Sequence, residues 1–364
     1  MVPEQPEEVV VAQPAPIVLP KADVAPAPVP QRPPTPTPAP PPTNHFTETW
    51  IPLDRWSRMN GFGAPHRLST EVPPAYSVTT SNGAMTIRIG SQLANWHGLE
   101  YRLGFAPELI NGHPSVHYLD VTKNFEPLLN HLATLAASNR AVVIDPGHGG
   151  TDVGTVSVYN GHFEKEYALD LARRLQGLLV TNGWNVFLTR TNDQNVTLSS
   201  RVAFAEQHKA DLFLSLHFNS AAPDREQAGL ETYCLTPPGM HSNLTRGFYD
   251  NPTLVFPNNS FDTQNLQYAV LLHRALLGVN GNLDRGVRRA RFLGVLQGQN
   301  RPAVLVEGGY LSNPTEARKI ADPDYRQKLA VALAAALTEG TGAAPSLANH
   351  SPATQPQAPD AKVN

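Results

Sequence analysis

Residues 140–340 alternate short runs of apolar, mostly β-branched side chains with longer segments whose apolar residues recur at helical spacing. The strand runs begin at residues 141, 185, 212, 230 and 303, and the helical segments cover 164–179, 198–208, 265–277 and 324–337. Strands that alternate with helices of this length are typical of βαβ units. The pattern therefore predicts an α/β fold, with a mainly parallel twisted sheet and helices on both faces.

Composition separates both ends of the chain from this region. The first 44 residues contain 15 prolines, many of them separated by Ala, Val or Thr. Such a segment favours an extended, polyproline-like conformation that cannot bury a core, so we predict a disordered linker over 1–44. Residues 341–364 are rich in Ala, Pro, Ser and Gln without an apolar period, which predicts a disordered tail.

Residues 45–135 differ from the alternating region that follows. Short runs with alternating polarity are separated by turn signals, and Ser81-Asn82-Gly83 is typical of a hairpin connection. We predict a small β-rich domain over 45–135, ahead of a catalytic domain over 140–340. Residues 87–120 resemble a small β-rich repeat named from the N-terminal region of copper amine oxidases, which implies a binding or spacer role.

Charge and cysteine content exclude several classes of protein. The chain carries 28 basic and 31 acidic residues and a net charge of -3, which leaves no electrostatic footprint for nucleic acid or anionic lipid. One cysteine, Cys234, excludes a disulfide framework and a Cys-rich metal site. No run approaches the roughly 20 apolar residues of a membrane helix, and no intact signal peptide is visible at the N-terminus.

Three ionisable side chains follow apolar strands of the predicted sheet. His148 lies in a Pro/Gly-rich turn after the first strand, while His217 and Glu307 end two later strands. The carboxyl ends of parallel strands meet at one edge of the sheet, where α/β proteins bind ligands. Glu164 opens the helix after the first strand and should face the same edge. Placing unpaired ionisable groups in such a crevice costs desolvation free energy unless they bind a ligand or a metal ion.

Two imidazoles and one carboxylate form a ligand set typical of catalytic zinc, which keeps a fourth position for water. On this reasoning either Glu164 or Glu307 completes the set with the two histidines, and the other carboxylate is free to act as a base. Glu166 is a rival ligand, but two residues of helix turn it by about 200° away from Glu164.

The loop around His148 allows further interpretations. Asp145 and Asp152 flank it, and each either orients the second ring nitrogen of a ligating histidine or caps a turn. The glycines of residues 147–150 could cradle a phosphate, but the Lys and Ser/Thr of a P-loop do not follow. We therefore set the phosphate site aside.

Six segments, taken in order, resemble the zinc-dependent N-acetylmuramoyl-L-alanine amidases of bacterial cell walls. They are IDPGHGG (144–150), FEK (163–165), LTR (188–190), ADLFLSLHFN (210–219), GLETY (229–233) and PAVLVEGGYLSN (302–313). By this resemblance His148, Glu164 and His217 match the zinc ligands, and Glu307 matches the catalytic glutamate. The chain departs from the family pattern at Gly308, where Thr or Ala is more common, and at Tyr310, where Phe is common.

The resemblance implies hydrolysis of the amide between N-acetylmuramic acid and L-alanine in peptidoglycan, with Zn²⁺ as cofactor. A wall substrate implies the periplasm or the cell surface, and we expect a monomer. Two alternatives stay open: a non-catalytic peptidoglycan-binding or activator module, and another zinc hydrolase of wall peptides, such as a deacetylase or carboxypeptidase. Retention of Glu307 argues against the first, because binding alone requires no base.

Two features bear on access to the predicted site. In some relatives an inhibitory helix covers the zinc until a partner protein displaces it, so the resemblance implies a protein activator as one partner. The corresponding segment here, residues 236–264, has few apolar positions at helical spacing, and we predict a rim loop open to substrate. Arg288, Arg289 and Arg291 form a basic cluster that either lies on a solvated face or contacts carboxylates of the stem peptide.

Overall fold

The computed structural model of the protein describes residues 49–130, 140–279, 281 and 283–339. The linker predicted over 1–44 and the tail predicted over 341–364 lie outside the described residues. Within the described part, no helix combines the length and the apolar character that crossing a lipid bilayer requires.

The described residues form strands and helices whose bounds are as follows. The strands are β1 (Trp50–Pro52), β2 (His66–Arg67), β3 (Ala75–Thr80), β4 (Gly83–Arg88), β5 (Leu93–Trp96), β6 (Leu99–Arg102), β7 (Glu108–Ile110), β8 (His113–His117), β9 (Ala141–Pro146), β10 (Asn185–Leu188), β11 (Leu212–Asn219), β12 (Leu230–Cys234), β13 (Asp284–Arg289) and β14 (Ala303–Tyr310). The α-helices are α1 (Leu53–Met59), α2 (Tyr118–Asp120), α3 (Glu126–Leu129), α4 (Glu164–Thr181), α5 (Leu198–Gln207), α6 (Asp262–Leu277), α7 (Gly294–Gln297), α8 (Pro314–Ala321) and α9 (Pro323–Glu339). A π-helical segment, Val121–Phe125, joins α2 to α3, and a 3₁₀ segment, Pro257–Phe261, leads into α6.

One large sheet has the strand order β10-β9-β11-β14-β12-β13-β6-β5-β4-β3-β2. Its first four strands are parallel, as predicted, but β12 runs antiparallel to β14. Neighbouring strands among β6, β5, β4, β3 and β2 are antiparallel to one another. The sheet is therefore mixed, which corrects the prediction of a mainly parallel sheet. Helical crossovers connect the parallel strands, whereas the short connections between β3 and β6 permit only antiparallel neighbours.

The strands from β2 to β6 extend this sheet, because β6 pairs in parallel with β13. Their buried side chains, such as Met85 and Trp96, belong to the same apolar core as Leu272 of α6. The described residues accordingly belong to one compact unit by their contacts. Apolar residues that precede position 131 and follow position 139 thus lie in one core.

Helices cover both faces of the parallel part of the sheet. Val142 and Ile144 of β9 pack in the core that includes Leu171 of α4, whereas Val143 packs in a second core with Ala205 of α5. Successive strand residues point to opposite faces, so β9 must be apolar on both. This arrangement confirms the predicted helix coverage and explains the continuous apolar run that ends at the His148 loop.

The carboxyl ends of β9, β11 and β14 meet at one edge, as predicted. Pro146 of β9 pairs with Leu216 of β11, and His217 of β11 pairs with Glu307 of β14. The register therefore brings the ends of all three strands to the same level, and the polar residues that follow them share one crevice.

A histidine at the end of β8 couples stability to pH. The His117 ring is buried and stacks on Phe105, with ring centroids 3.7 Å apart. Its Nδ1 accepts a hydrogen bond from the backbone N–H of Leu119 at 3.2 Å. Burial lowers the pKa of His117 from 6.5 to about 4. A lowered pKa in the folded state contributes stability that is present above pH 6.5 and is lost as the pH falls towards 4.

Replacement His117→Asn should remove this part of the acid sensitivity, because Asn caps a helix but does not titrate. We expect the urea midpoint of the unmodified protein to fall more between about pH 7 and about pH 4.5 than that of the variant. His113 is exposed on the same strand and provides the matched control, since His113→Asn should keep the original slope. Equal slopes for His117→Asn and the unmodified protein would contradict this role.

Candidate metal centre

Three side chains from separate elements meet at the carboxyl edge of the sheet. His148 follows β9, Glu164 opens α4 and His217 lies near the end of β11. Each offers one ligand atom, and these atoms all lie within 4.8 Å of one another. The Glu164 side chain is buried, whereas those of His148 and His217 are 22% and 18% exposed. The fold therefore assembles the predicted ligand set where solvent and substrate can reach it.

One oxygen of Glu164 faces both imidazoles. Its Oε1 lies 3.1 Å from Nε2 of His148 and 2.9 Å from Nδ1 of His217. Ligands bound at 2.0–2.1 Å around tetrahedral zinc are about 3.3 Å apart, so both separations fit the edges of such a site. The backbone N–H groups of Phe218 and Thr155 donate to Oε1 and Oε2 at 3.1 and 3.0 Å, which fixes the orientation of the carboxylate.

Asp152 orients His148. Its Oδ1 lies 2.8 Å from Nδ1 of His148, so that nitrogen donates its proton, and in the neutral ring Nε2 is then free to ligate. Either a proton or a cation must lie between Nε2 and Oε1 of Glu164, which are 3.1 Å apart. Burial lowers the pKa of His148, but hydrogen bonds and charges from Glu164 and Asp152 outweigh burial and raise it. The surroundings of His148 thus stabilise a positive charge at this position.

The charge balance of Glu164 leads to the same conclusion. Burial favours its neutral form, but the hydrogen bonds and charges of His148 and His217 hold the pKa of this carboxyl well below its usual range. Glu164 is therefore an anion at neutral pH, which is the form that binds a cation.

The other acidic residues near the His148 loop have different roles. Asp145 is buried and accepts hydrogen bonds from Thr189, Arg201 and Ser215, so it ties β9 to its neighbours and does not orient a ligating histidine. Glu166 pairs with His162 on the exposed side of α4, as expected for a residue that faces away from the site.

Two buried arginines fix the loop that carries His148. Arg190 and Arg201 donate four hydrogen bonds of 2.7–3.0 Å to the backbone carbonyls of residues 146–148. His148 has a φ of 61°, a left-handed conformation that side chains other than glycine seldom adopt. The arginines hold the backbone in that conformation and thereby aim the imidazole at Glu164.

Glu307 lies beside this cluster on β14. Its Cα pairs with that of His217, so the two side chains start about 4.8 Å apart, one strand spacing. The side chain is buried, and Oε2 has no hydrogen-bond partner among the described residues. Burial and the charge of Glu164 raise the pKa of Glu307 well above its usual value, against the opposing charge of Arg246. A carboxyl group in this state holds a proton more strongly than an ordinary glutamate does.

Comparisons with known proteins identify the family of the chain. The sequence matches the family described as N-acetylmuramoyl-L-alanine amidase (Amidase_3) over residues 142–339, which is more than half of the chain. The chain belongs to this amidase family. N-acetylmuramoyl-L-alanine amidase AmiA of Escherichia coli (strain K12) is 30% identical over 223 residues, covering 56% of this chain and 76% of AmiA.

Two further comparisons involve amidases of other bacteria. LytC of Bacillus subtilis (strain 168) is 34% identical over 196 residues, covering 53% of this chain and 34% of LytC. Among solved structures, the catalytic domain of the amidase CwlV from Bacillus (Paenibacillus) polymyxa var. colistinus is 31% identical, with a TM-score of 0.46 and coverage of 55% of this chain and 97% of that domain.

The two departures of this amidase from the family pattern have local explanations. A Cβ atom at Gly308 would lie 2.8 Å from Cε1 of Phe218, so the phenyl ring occupies the space of a larger side chain. The Tyr310 hydroxyl donates to Oε1 of buried Glu231 at 3.0 Å, a hydrogen bond that Phe cannot make. Both changes affect packing beside the site and leave the three ligand atoms together.

Of the three arginines in the predicted basic cluster, only Arg288 lies on the strand face that continues from the site. Arg289 donates to the backbone carbonyl of Lys123 at 2.7 Å, and Arg291 pairs with Asp250. Both are buried. The solvated-face interpretation is therefore wrong for Arg289 and Arg291, which hold loops to the body of the protein.

Sequence reasoning missed Arg246, which lies in the 236–264 segment. It donates to Oδ1 of Asn219 at 3.1 Å, at the end of β11, and its charge acts on Glu307. Nothing in the local sequence marks this residue, because its position depends on how an irregular loop returns to the sheet. Within the 236–264 segment, residues 237–256 contain no helix, whereas the 3₁₀ segment Pro257–Phe261 and the start of α6 occupy its end.

Gly147 provides a test of how closely the loop must approach the site. A Cβ atom at this position would lie 2.2 Å from Cε1 of His217. Gly147→Ala should therefore displace the imidazole and weaken zinc binding about 10- to 100-fold, the range for changes that disturb ligand orientation. Zinc titration against a chromophoric chelator measures the effect.

The matched control is Gly177→Ala in the exposed middle of α4, where an added Cβ meets no atom within 4 Å. This variant should bind zinc normally and gain about 0.5–1 kcal/mol of stability. Unchanged zinc affinity in Gly147→Ala would contradict the close approach of the loop to His217.

Proposed function

We propose that this amidase uses zinc to hydrolyse the amide bond between N-acetylmuramic acid and L-alanine in peptidoglycan. The observation that carries the proposal is that the His148, Glu164 and His217 cluster lies beside the buried carboxyl of Glu307, whose Oε2 has no hydrogen-bond partner among the described residues. Membership of the family supports the choice of bond, since AmiA and LytC are both named for cleavage of this amide. Because peptidoglycan lies outside the cytoplasmic membrane, we place the protein in the periplasm or at the cell surface, and we expect it to act as a monomer.

His148, Glu164 and His217 would hold the metal ion. When bound, zinc polarises the scissile carbonyl and lowers the pKa of a water molecule towards neutrality. Asp152 keeps the proton of His148 on Nδ1, so that Nε2 remains free to ligate. Arg190 and Arg201 hold the loop rigid, which limits the reorganisation that catalysis would otherwise require.

Glu307 moves the proton. Hydrolysis adds the hydroxyl of water to the lactyl carbonyl carbon and breaks the bond from that carbon to the alanine nitrogen, which must gain a proton to leave. Glu307 takes the proton of the water and passes it to that nitrogen. Its raised pKa suits both steps, because a carboxyl of ordinary acidity would accept the proton weakly at neutral pH.

The alternatives differ in what they require of these residues. A binding or activator module needs no carboxyl with a raised pKa beside the cluster, so the state of Glu307 favours an enzyme. A deacetylase or carboxypeptidase would use the same groups on another bond, and the products distinguish it. Because the ligating histidines are partly exposed and the rim segment has no covering helix, we propose turnover without a protein activator.

Digestion of purified sacculi tests the reaction. The protein alone should release stem peptides that begin at L-alanine, as identified by mass spectrometry, and a chelator should stop the release. Stem peptides that remain joined to muramic acid would contradict the proposed bond. Release that begins only after addition of a cell extract would contradict activator-free turnover.

Replacement of Glu307 separates chemistry from metal binding. Glu307→Gln keeps the shape of the side chain but cannot carry the proton, so kcat should fall roughly 10²- to 10⁴-fold while zinc remains bound. His217→Ala should lose both zinc and activity. Glu166→Gln, on the exposed side of α4, is the control and should behave as the unmodified protein. Near-normal turnover by Glu307→Gln would exclude its role in proton transfer.

A further inference from the structure

Strands β4, β5 and β6 bury one face and leave the other accessible. Met85, Trp96 and Tyr101 point into the core, whereas the intervening positions carry polar side chains that are half-buried. These side chains form what we call the polar face: Thr86, Asn95, Glu100 and Arg102. Pairing aligns them across the strands, with Thr86 opposite Asn95 and Asn95 opposite Glu100.

The polar face continues to the proposed active site. The pairing of β6 with β13 sets Arg102 beside Arg288, and Arg288 lies 3.2 Å from Oε1 of Glu231 on β12. Glu231 in turn pairs across the strands with Glu307. Three strand spacings of about 4.8 Å therefore separate β6, which carries Arg102, from β14, which carries Glu307, a lateral distance of about 14 Å.

Arg102 carries a charge that forms no ion pair with a described residue. Arg285 and Arg288 both pair with Glu231, at 2.8 and 3.2 Å, whereas Arg102 has no hydrogen bond or ion pair with any described residue. Its Nε is buried without a partner. Burial and the charge of Arg288 lower the pKa of Arg102, with partial compensation from Glu100. An arginine in this position is costly unless it binds an anion.

We infer that Arg102 binds a carboxylate of the stem peptide, three or four residues beyond the amide that is cleaved. The inference rests on the proposed function. An extended peptide spans about 3.3–3.6 Å per residue, so four residues starting near Glu307 cover the distance to Arg102. Guanidinium groups bind carboxylates through two parallel hydrogen bonds, which gives selectivity as well as affinity.

This assignment gives the N-terminal strands a role in substrate choice. Arg102 lies outside the segment that matches the amidase family, residues 142–339, so the contact is a property of this chain's extension of the sheet. Strand β6, which lies three strands away from β14 and its Glu307, would then set the selectivity among substrates.

Two substrates and two arginines test the inference. The substrates are a muramyl tetrapeptide with free carboxylates and the same compound with its carboxyl groups beyond the second residue amidated. Arg102→Gln should raise KM for the free acid about tenfold, equivalent to about 1.4 kcal/mol, with little change in kcat. KM for the amidated compound should not change, which also shows that the variant is folded. Arg102→Lys should fall between, since it keeps the charge but not the paired hydrogen bonds.

Arg88→Gln is the matched control. Arg88 is exposed on β4, two strands further from the site, and its replacement should leave both KM values unchanged. If Arg102→Gln discriminates between the two substrates as the unmodified protein does, the inference is wrong.

A binding measurement separates this inference from the proposed function. The free tetrapeptide and its amidated form are titrated into the zinc-loaded protein by calorimetry, which requires no turnover. A preference for the acidic peptide that disappears in Arg102→Gln supports the inference, even if no amide is cleaved. If the preference is present and no amide is cleaved, only the proposed function fails. Equal affinities of the unmodified protein for the two peptides overturn the inference whatever its activity.

Discussion

The approach of two imidazole nitrogens to one carboxylate oxygen is the constraint on which the rest of this structure depends. Oε1 of Glu164 lies about 3 Å from both His148 and His217, and atoms with electron pairs this close repel one another unless a proton or a metal cation lies between them. The three residues come from a loop, a helix and a strand, so each element must be held to a fraction of an ångström.

The protein achieves this precision with charges that are themselves buried. Arg190 and Arg201 donate hydrogen bonds to backbone carbonyl groups of the His148 loop. Because His148 has a left-handed backbone conformation, these carbonyl groups cannot take part in regular sheet hydrogen bonding. Asp145 neutralises Arg201 at the base of the loop. Buried charges cost desolvation free energy, and here they recover it through hydrogen bonds that also fix the site. We therefore expect the loop that carries His148 to keep its conformation when a metal ion binds or leaves.

The mixed sheet extends this rigid site into a longer surface. Reversal of direction at β12 sets Glu231 beside Glu307, and the parallel pairing of β13 with β6 brings residues from the first third of the chain into the same sheet. Backbone hydrogen bonds join each pair of neighbouring strands and so fix the spacing between them. Arg102 therefore lies at a fixed distance from the proposed catalytic carboxyl, as substrate recognition at a distance requires.

The sequence by itself determined the alternation of strands and helices from residue 140 onward and the residue types at the strand ends, because local periodicity and composition encode both. It also marked His148, Glu164, His217 and Glu307. Only the tertiary structure decided that the sheet is mixed, that Asp152 rather than Asp145 orients His148, that the charge of Arg246 acts on Glu307, and that Arg102 lies in the same sheet as Glu307. β13 shows the reason: its sequence, DRGVRR, is too polar to predict a strand, and it becomes one because β12 and β6 supply hydrogen-bond partners from distant parts of the chain.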